Sequence, residues 1–345
     1  MAGSVTLAGM ATIKPITIAG GGLAGLTLGI ALRRQNVPVV LHEAGSYPRH
    51  RVCGEFLSGA GAGVLESLGL GEVLDGACLQ RTTAWFQGKR PVYAATLPYP
   101  AYGLSRFAMD ERLRQSFQAL GGTLHERSRL RPDTAEGFVW SGGRVPVRGP
   151  WIGLKCHVPG LALSADLEMH LGSNGYVGLA RVENDCVNVC GLFRCDSSVP
   201  GRVTDYLRAG GMGELADRIE AAGPDPESFS AVAGFRLGWQ KELPGVLAVG
   251  DANGLIPPFA GNGMSMAFEA AATAGGTLAR YACGDAGWTE VCTDVKKSLR
   301  HRFSRRLLGA SILHPFLTAG VGQALLVSVS RLRLLPFAMV FRVLR

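Results

Sequence analysis

The sequence predicts an α/β protein: a doubly wound, Rossmann-like parallel sheet, a domain of mainly antiparallel sheet, and C-terminal helices. Three observations carry this. Within the first forty-five residues an apolar run enters a glycine cluster, a helical segment and a second apolar run. At 247–282 another apolar run enters a second glycine-rich block and a long helical segment. Between them, from about 85 to 240, short alternating runs and turn residues replace the strand–helix rhythm. The chain has 345 residues, 47% apolar and 18% charged, which excludes disorder and supplies a sizeable core. Its 48 glycines follow no Gly-X-Y period, which excludes collagen, and they gather in short motifs.

Ile16-Thr17-Ile18-Ala19 reads as a buried strand, followed by the turn Gly20-Gly21-Gly22-Leu23-Ala24-Gly25 and a helical run at 26–35. A second strand, Val39-Val40-Leu41-His42, ends at Glu43. Gly20, Gly22 and Gly25 stand in GxGxxG register. The first allows the tight turn, the second lets backbone approach a pyrophosphate, and the third permits close helix–strand packing. The helix N-terminus offers free N–H groups to phosphates, and Glu43 is placed to accept from a ribose. NAD and FAD both use such a unit, so it implies a dinucleotide without choosing one.

The second block is more discriminating. Leu247-Ala248-Val249 reads as a strand running into Gly250-Asp251, then Pro257-Pro258-Phe259-Ala260-Gly261-Asn262-Gly263-Met264 and a helix at 265–282. An aspartate at a strand end can hold a sugar or ribityl hydroxyl. A helix start kept bare by glycine can stabilise negative charge, such as that on a reduced flavin. An NAD domain has no need of this second site.

Four segments, AGGGLAGL, PRHRVCGEFLSG, GLSRFAMDERL and GDANGLIPPFAGNGMSMAFEAA, resemble the geranylgeranyl-reductase branch of the p-hydroxybenzoate-hydroxylase-type flavoproteins. The resemblance covers essentially the whole chain. It implies non-covalent FAD in a doubly wound domain assembled from discontinuous segments, with a sheet domain over the flavin. Residue by residue, it implies that Gly20, Gly22 and Gly25, with Leu23 and Ala24, hold the pyrophosphate, and that Glu43 holds the adenosine ribose. Arg106 would contact the FAD chain, Asp251 the ribityl hydroxyl, and Gly261, Asn262, Gly263 and Met264 the isoalloxazine. Arg51, Gly54, Gly250 and Pro258 join these contacts. The element Pro48, Cys53, Gly54 would lie along the flavin near the substrate. Two departures stand out: Asn262 replaces an expected acidic residue, and Trp140-Ser141-Gly142-Gly143-Arg144 lacks the Asp-Gly motif of many monooxygenases. NAD(P)H therefore stays open as donor beside a protein electron donor.

In the middle region, 176–181 and 187–193 read as a hairpin around Glu183-Asn184-Asp185, and 151–157 as a further strand. Period-two alternation puts Lys155 and His157 on one face, expected to be solvated rather than to meet substrate. Cys53 and Glu55 are the candidate proton donors, against the plainer reading of a packed thiol and a surface acid. His50, between Arg49 and Arg51, reads as a weaker candidate beside a phosphate or solvent contact. No nucleophilic triad, zinc-protease motif or phosphate-binding P-loop is present, and the eight cysteines have no metal or disulfide spacing. No metal is expected, and the cysteines read as the reduced thiols of a cytoplasmic protein.

The expected division is 1–84 and 241–294 for the FAD-binding domain and 85–240 for the sheet domain, with 102–130 returning to the first. The remainder, 295–345, is basic and apolar: it carries ten Lys/Arg and no Asp/Glu, while the rest is near neutral. The basic residues interleave with Leu, Val and Phe, which fits an anionic membrane surface rather than nucleic acid. Residues 307–330 lack charge but are interrupted by His314, Pro315 and Gln323, so broken amphipathic helices are expected. The N-terminus lacks the basic region of a signal peptide. The leading expectation is an FAD oxidoreductase reducing a C=C bond of a lipophilic molecule (isoprenoid, quinone or polyketide-like), cytoplasmic and peripheral at the inner membrane face. Its alternatives are an FAD monooxygenase of an aromatic or polyketide substrate using NAD(P)H and O2, and a non-catalytic lipid carrier.

Overall fold

A computed structural model describes residues 13–331. The chain begins with the expected βαβ unit: β1 (Ile16–Ala19), α1 (Leu23–Arg33) and β2 (Val39–His42). α1 is buried from Leu23 through Leu32, because later helices cover the side that β1 and β2 leave open. The chain then leaves this layer for β3 (Phe56–Ser58), α2 (Gly59–Ser67), β4 (Cys78–Gln87) and β5 (Arg90–Gly103). It returns through α3 (Arg106–Ala119), whose first turn is capped by Ser105 Oγ accepting from Ala108 N, and through β6 (Thr123–His125) and β7 (Phe138–Trp140).

A second excursion builds β8 (Trp151–Pro159), β9 (Leu167–Gly172), β10 (Gly175–Val182), β11 (Cys186–Arg194), α4 (Val203–Ala209), α5 (Gly213–Ala222) and β12 (Asp225–Ala233). Asn184 and Asp185 take positive φ in the β10–β11 turn, as short polar residues do in hairpins. After β13 (Gly238–Trp239) the chain re-enters the first layer at β14 (Leu247–Ala248), then forms β15 (Gly254–Leu255) and α6 (Gly263–Cys283). The last helices are α7 (Trp288–Leu313), α8 (Pro315–Thr318) and α9 (Gly320–Arg331).

Five strands form an all-parallel sheet in the order β14-β7-β1-β2-β6, and eight form a mixed sheet in the order β12-β8-β11-β10-β9-β4-β5-β3. In the mixed sheet every pairing is antiparallel except that of β4 with β9. The fold class is therefore the expected one. The boundaries differ: the mixed sheet begins at Phe56 and Cys78 rather than at 85, and 138–140 also belongs to the parallel sheet. Of these, β3 and β7 are three-residue strands whose partners lie far along the chain, a pairing that local alternation does not encode.

The larger core joins the parallel sheet to α1, α6 and α7, with Ile16, Leu28, Phe268 and Phe303 at its centre. A second core packs one face of the mixed sheet, including Leu154, Val177 and Val189, on Tyr206, Leu207 and Ile219 of α4 and α5. The opposite face meets α8 through Leu171, Tyr176, Leu192 and Leu317. Between that face and the parallel sheet lies the site. As expected, 307–330 is broken, with a 95° bend between 288–318 and 320–330. Among the described residues no single helix is long and apolar enough to cross a membrane. The distal basic residues Arg333, Arg342 and Arg345 and residues 1–12, where the signal-peptide reading falls, lie outside the described residues.

Candidate active site

Where β1 ends, the backbone turns at Gly20 with φ +114°, and a Cβ there would sit 2.3 Å from Ser141 O. At Gly25 a Cβ would sit 1.9 Å from Gly20 O, so α1 can start tight against β1 only with glycine. Gly22 is the opposite case. It is the N-cap of α1, with no side-chain cap and open space where its Cβ would point. The first N–H groups of the helix, at Leu23 and Ala24, therefore face a cavity with nothing to shield them.

Glu43 closes one side of this cradle. Its Oε2 accepts from Gly21 N at 2.8 Å, and its Oε1 accepts from Gly45 N at 2.8 Å and from Arg49 Nη2 at 2.5 Å. Burial alone would push this carboxyl up, but Arg51, Gly45 N–H and Arg49 outweigh it and hold the group ionised below its usual range. Oε2 keeps acceptor capacity for a sugar hydroxyl. Arg51 donates to Asp110 at 2.9 Å, and Arg106 grips the same carboxylate with bonds of 2.7 and 2.9 Å. Four buried donors around the cavity, Arg49 Nε, Arg51 Nη2, Trp140 Nε1 and Arg144 Nε, have no hydrogen-bond partner in the protein. Unpaired buried donors are costly, so their convergence fits an acceptor-rich anionic ligand.

On the other side, Gly250 takes φ +65° and turns Asp251 toward the same cavity. Enclosure raises the Asp251 carboxyl pKa, opposed by the charges of Arg106, Arg144 and Arg51. Gly261 and Gly263 bring the bare start of α6 to the cavity wall beside Pro258 and Met264. Asn262 departs from its expected place: it is buried away from the cavity and accepts from Ser58 Oγ at 3.3 Å, tying β3 to α6. Gly25 likewise stands behind the cradle rather than on its surface.

The Cys53 block lies across the inner face of the mixed sheet, where Asn188 Nδ2 donates to Cys53 O at 2.9 Å. Burial pushes the Cys53 thiol up, Arg106 opposing, so it stays a protonated group on the cavity wall. Glu55 does not fit the expected proton-donor role. It is fully buried, its Oε2 is 2.6 Å from His157 Nε2, and its Oε1 is 3.2 Å from Lys155 Nζ and accepts from Arg106 N at 2.9 Å. Burial opposes ionisation here, but the His157 bond and the Lys155 charge hold the carboxyl below its ordinary value. It is an acceptor.

Lys155 and His157 share a face, as alternation requires, but that face is the covered one. Lys155 is 0% exposed and His157 7%. His50 completes the group, with Nδ1 2.9 Å from Lys155 Nζ, and its ring stacks on Phe107. Period two fixes which residues share a face, not which face is covered, so these residues were misplaced at the surface.

The cavity is about 900 Å³. That is near the top of the roughly 300–1,000 Å³ range of small-molecule sites. It runs from Gly20 and Gly22 past Asp251 to an apolar end lined by Trp85, Leu97, Phe316, Leu317 and Leu326.

No family model matches the chain, and no curated protein matches it. Solved structures do. PqsL of Pseudomonas aeruginosa, solved with 2-aminobenzoylacetate, superposes with TM-score 0.70 at 14% identity over 91% of this chain and 99% of its own. The flavin-dependent brominase Bmp2 gives 0.74 at 17% identity over 95% and 92%. The p-nitrophenol 4-monooxygenase PnpA from Pseudomonas putida DLL-E4 gives 0.70 at 15% identity over 96% and 99%. Coverage of both partners nearly end to end places this chain in the same fold as these flavin-dependent monooxygenases and halogenases.

Proposed function

We propose that the protein is an FAD-dependent monooxygenase acting on an aromatic or polyketide-like, lipophilic small molecule. The carrying observation is one cavity with two chemistries: a glycine cradle ringed by unpaired buried donors at one end, and an apolar chamber at the other. The residues fit FAD. Gly22, Leu23 and Ala24 with Arg51 would hold the pyrophosphate, Glu43 the adenosine ribose, Asp251 the ribityl chain, and the start of α6 the flavin ring. Bound there, FAD supplies the redox chemistry between a nicotinamide donor and oxygen. The chain itself binds, orients and excludes water: Trp85, Leu97 and Leu317 surround the substrate end with apolar surface. A C=C reductase finds no support among the solved structures of this shape, whose names are those of monooxygenases and halogenases.

We extend this reading to a cytoplasmic protein that meets the inner face of a membrane as a peripheral partner. Leu308, Ile312, Val321 and Leu325 are exposed apolar residues of α7 and α9, the helices whose neighbouring residues line the chamber. Lys297, His301 and Arg305 continue the exposed face of α7 at helical spacing.

The first test is the visible spectrum of the purified protein, with the chromophore released by heat and identified by chromatography. About one FAD per chain is expected. Absence of flavin after incubation with excess FAD would overturn the proposal. Turnover of a substrate panel under ¹⁸O₂ then checks the reaction. Label in the product supports oxygenation, and a reduced, unlabelled product would restore the reductase reading.

A further inference from the structure

We propose that His50 and Lys155 form a proton store for this cavity, loaded and emptied through His50 Nε2, with Glu55 and His157 as positioning residues. The catalytic use of the store rests on the function proposed above; its chemistry does not.

The geometry dictates the proton positions. A lysine ammonium only donates, and here it reaches two acceptors, Glu55 Oε1 at 3.2 Å and His50 Nδ1 at 2.9 Å. His50 Nδ1 is then an acceptor, and the neutral imidazole carries its proton on Nε2. Glu55 already accepts from three donors, His157 Nε2, Lys155 and Arg106 N. The His50 ring is fixed by stacking on Phe107 at 4.8 Å and by edge contact with His157 at 5.0 Å. His50 lines the cavity, whereas Lys155 is sealed behind it. Glu55 itself sits at φ +54°, a left-handed conformation that a non-glycine residue keeps only when its surroundings hold it there.

The step balances with one proton. His50 Nε2–H gives its proton to an acceptor oxygen or nitrogen of the bound ligand. The Lys155 ammonium passes a proton to Nδ1, leaving a free amine that accepts from the new Nδ1–H. The pair has lost one proton, and no other bond has formed or broken. The reverse removes a proton from a phenol or enol, the ligand class the store suits. The facing charged and titratable groups are Lys155 and His157 of β8, Glu55, and Asp225 at the start of β12. The thiols of Cys53, Cys156 and Cys190 around Lys155 and Glu55 are pushed up by burial, Cys156 to about 12, and do not compete as acids. Burial, then Lys155 and His157, hold His50 below the ordinary imidazole range, which keeps the loaded ring neutral near pH 7.

The test is ¹⁵N-histidine NMR of the purified full-length protein, with His50 assigned by its loss in His50→Gln. The expected result is an Nε2–H tautomer at pH 7 and a midpoint below that of free imidazole. Lys155→Met should raise that midpoint and release the ring to both tautomers. An Nδ1–H tautomer in the native protein, or an unmoved midpoint in Lys155→Met, would overturn the proposal. Lys155→Arg guards against a simple folding defect, because arginine keeps the charge and the donors but cannot yield a proton. In flavin-loaded protein turning over a phenolic panel, that variant should keep the tautomer and KM while kcat falls at least tenfold and loses its native pH dependence. A native kcat and pH profile in Lys155→Arg would sink the store. A protein that takes up no flavin would instead sink the proposed function, and the NMR outcome would still judge the store.

Discussion

At Glu43, two backbone N–H groups and Arg49 already share one carboxylate, and Arg51 stands 3.5 Å away with one N–H unsatisfied. That arrangement leaves Arg51 Nη2 without a hydrogen bond at the cavity wall, where an anionic ligand can supply one. A charge-assisted hydrogen bond is worth roughly 1.5–3 kcal/mol, so Arg51→Met should weaken FAD binding about 10- to 150-fold. Equilibrium titration of the apoprotein with FAD measures this; unchanged affinity would remove Arg51 from the pyrophosphate site. The residues that the sequence made legible are those whose role is backbone geometry. Gly20 and Gly25 are forced by approaches that no side chain survives, and such needs leave a motif. Lys155, His157 and His50 leave none. Their meeting depends on the Cys53 block crossing the inner face of a sheet assembled from distant strands. Trp140 and Arg144 were missed for the same reason: a donor without a hydrogen bond is visible only once its surroundings are known.

At the scale of elements, the junction of α7 and α8 lines the cavity's apolar end with Leu313, Phe316 and Leu317. His314 sits there, stacked on Phe259 and edge-on to Trp151 and Tyr176. Burial, then the charge of Arg194, push its pKa down to about 4 from 6.5. A folded-state pKa below the unfolded one means that stability is fully present above pH 6.5 and is lost as pH falls toward 4. The C-terminal helices should therefore loosen over that window, reported by the fluorescence of Trp151, and His314→Phe should flatten this acid response. A response identical in the variant would place the sensitivity elsewhere. The breaks at His314 and Pro315 were legible as interruptions of an apolar run. That the run folds back over the mixed sheet was not, because an amphipathic pattern names a covered face without naming what covers it.

For the whole molecule, the basic and apolar surface of α7 and α9 gives a lipid test. The protein should sediment with anionic vesicles more than with neutral ones, and less as salt rises. Equal and salt-independent sedimentation, or none, would confine the substrate to solution. Replacing Leu308 and Ile312 with serine should reduce vesicle binding while leaving FAD content intact, since neither residue lines the cradle.

The chain visits the parallel sheet with β1 and β2, leaves for β3 to β5, returns with β6 and β7, leaves again for β8 to β12, and returns with β14. Neither sheet is one continuous stretch of sequence, and the parallel pairing of β4 with β9 bridges the two excursions. Neither layer can therefore finish alone: losing one withdraws strands or connections that the other needs. Fragments cut at either crossing should not fold separately, and chemical denaturation should show a single transition reported alike by flavin release and by far-UV signal. Such wiring also makes early contacts long-range and folding slow. The ligand cradle and the chamber beside it then arise in one event, so a nascent chain has no stage at which it could hold the cofactor without the wall that shields it.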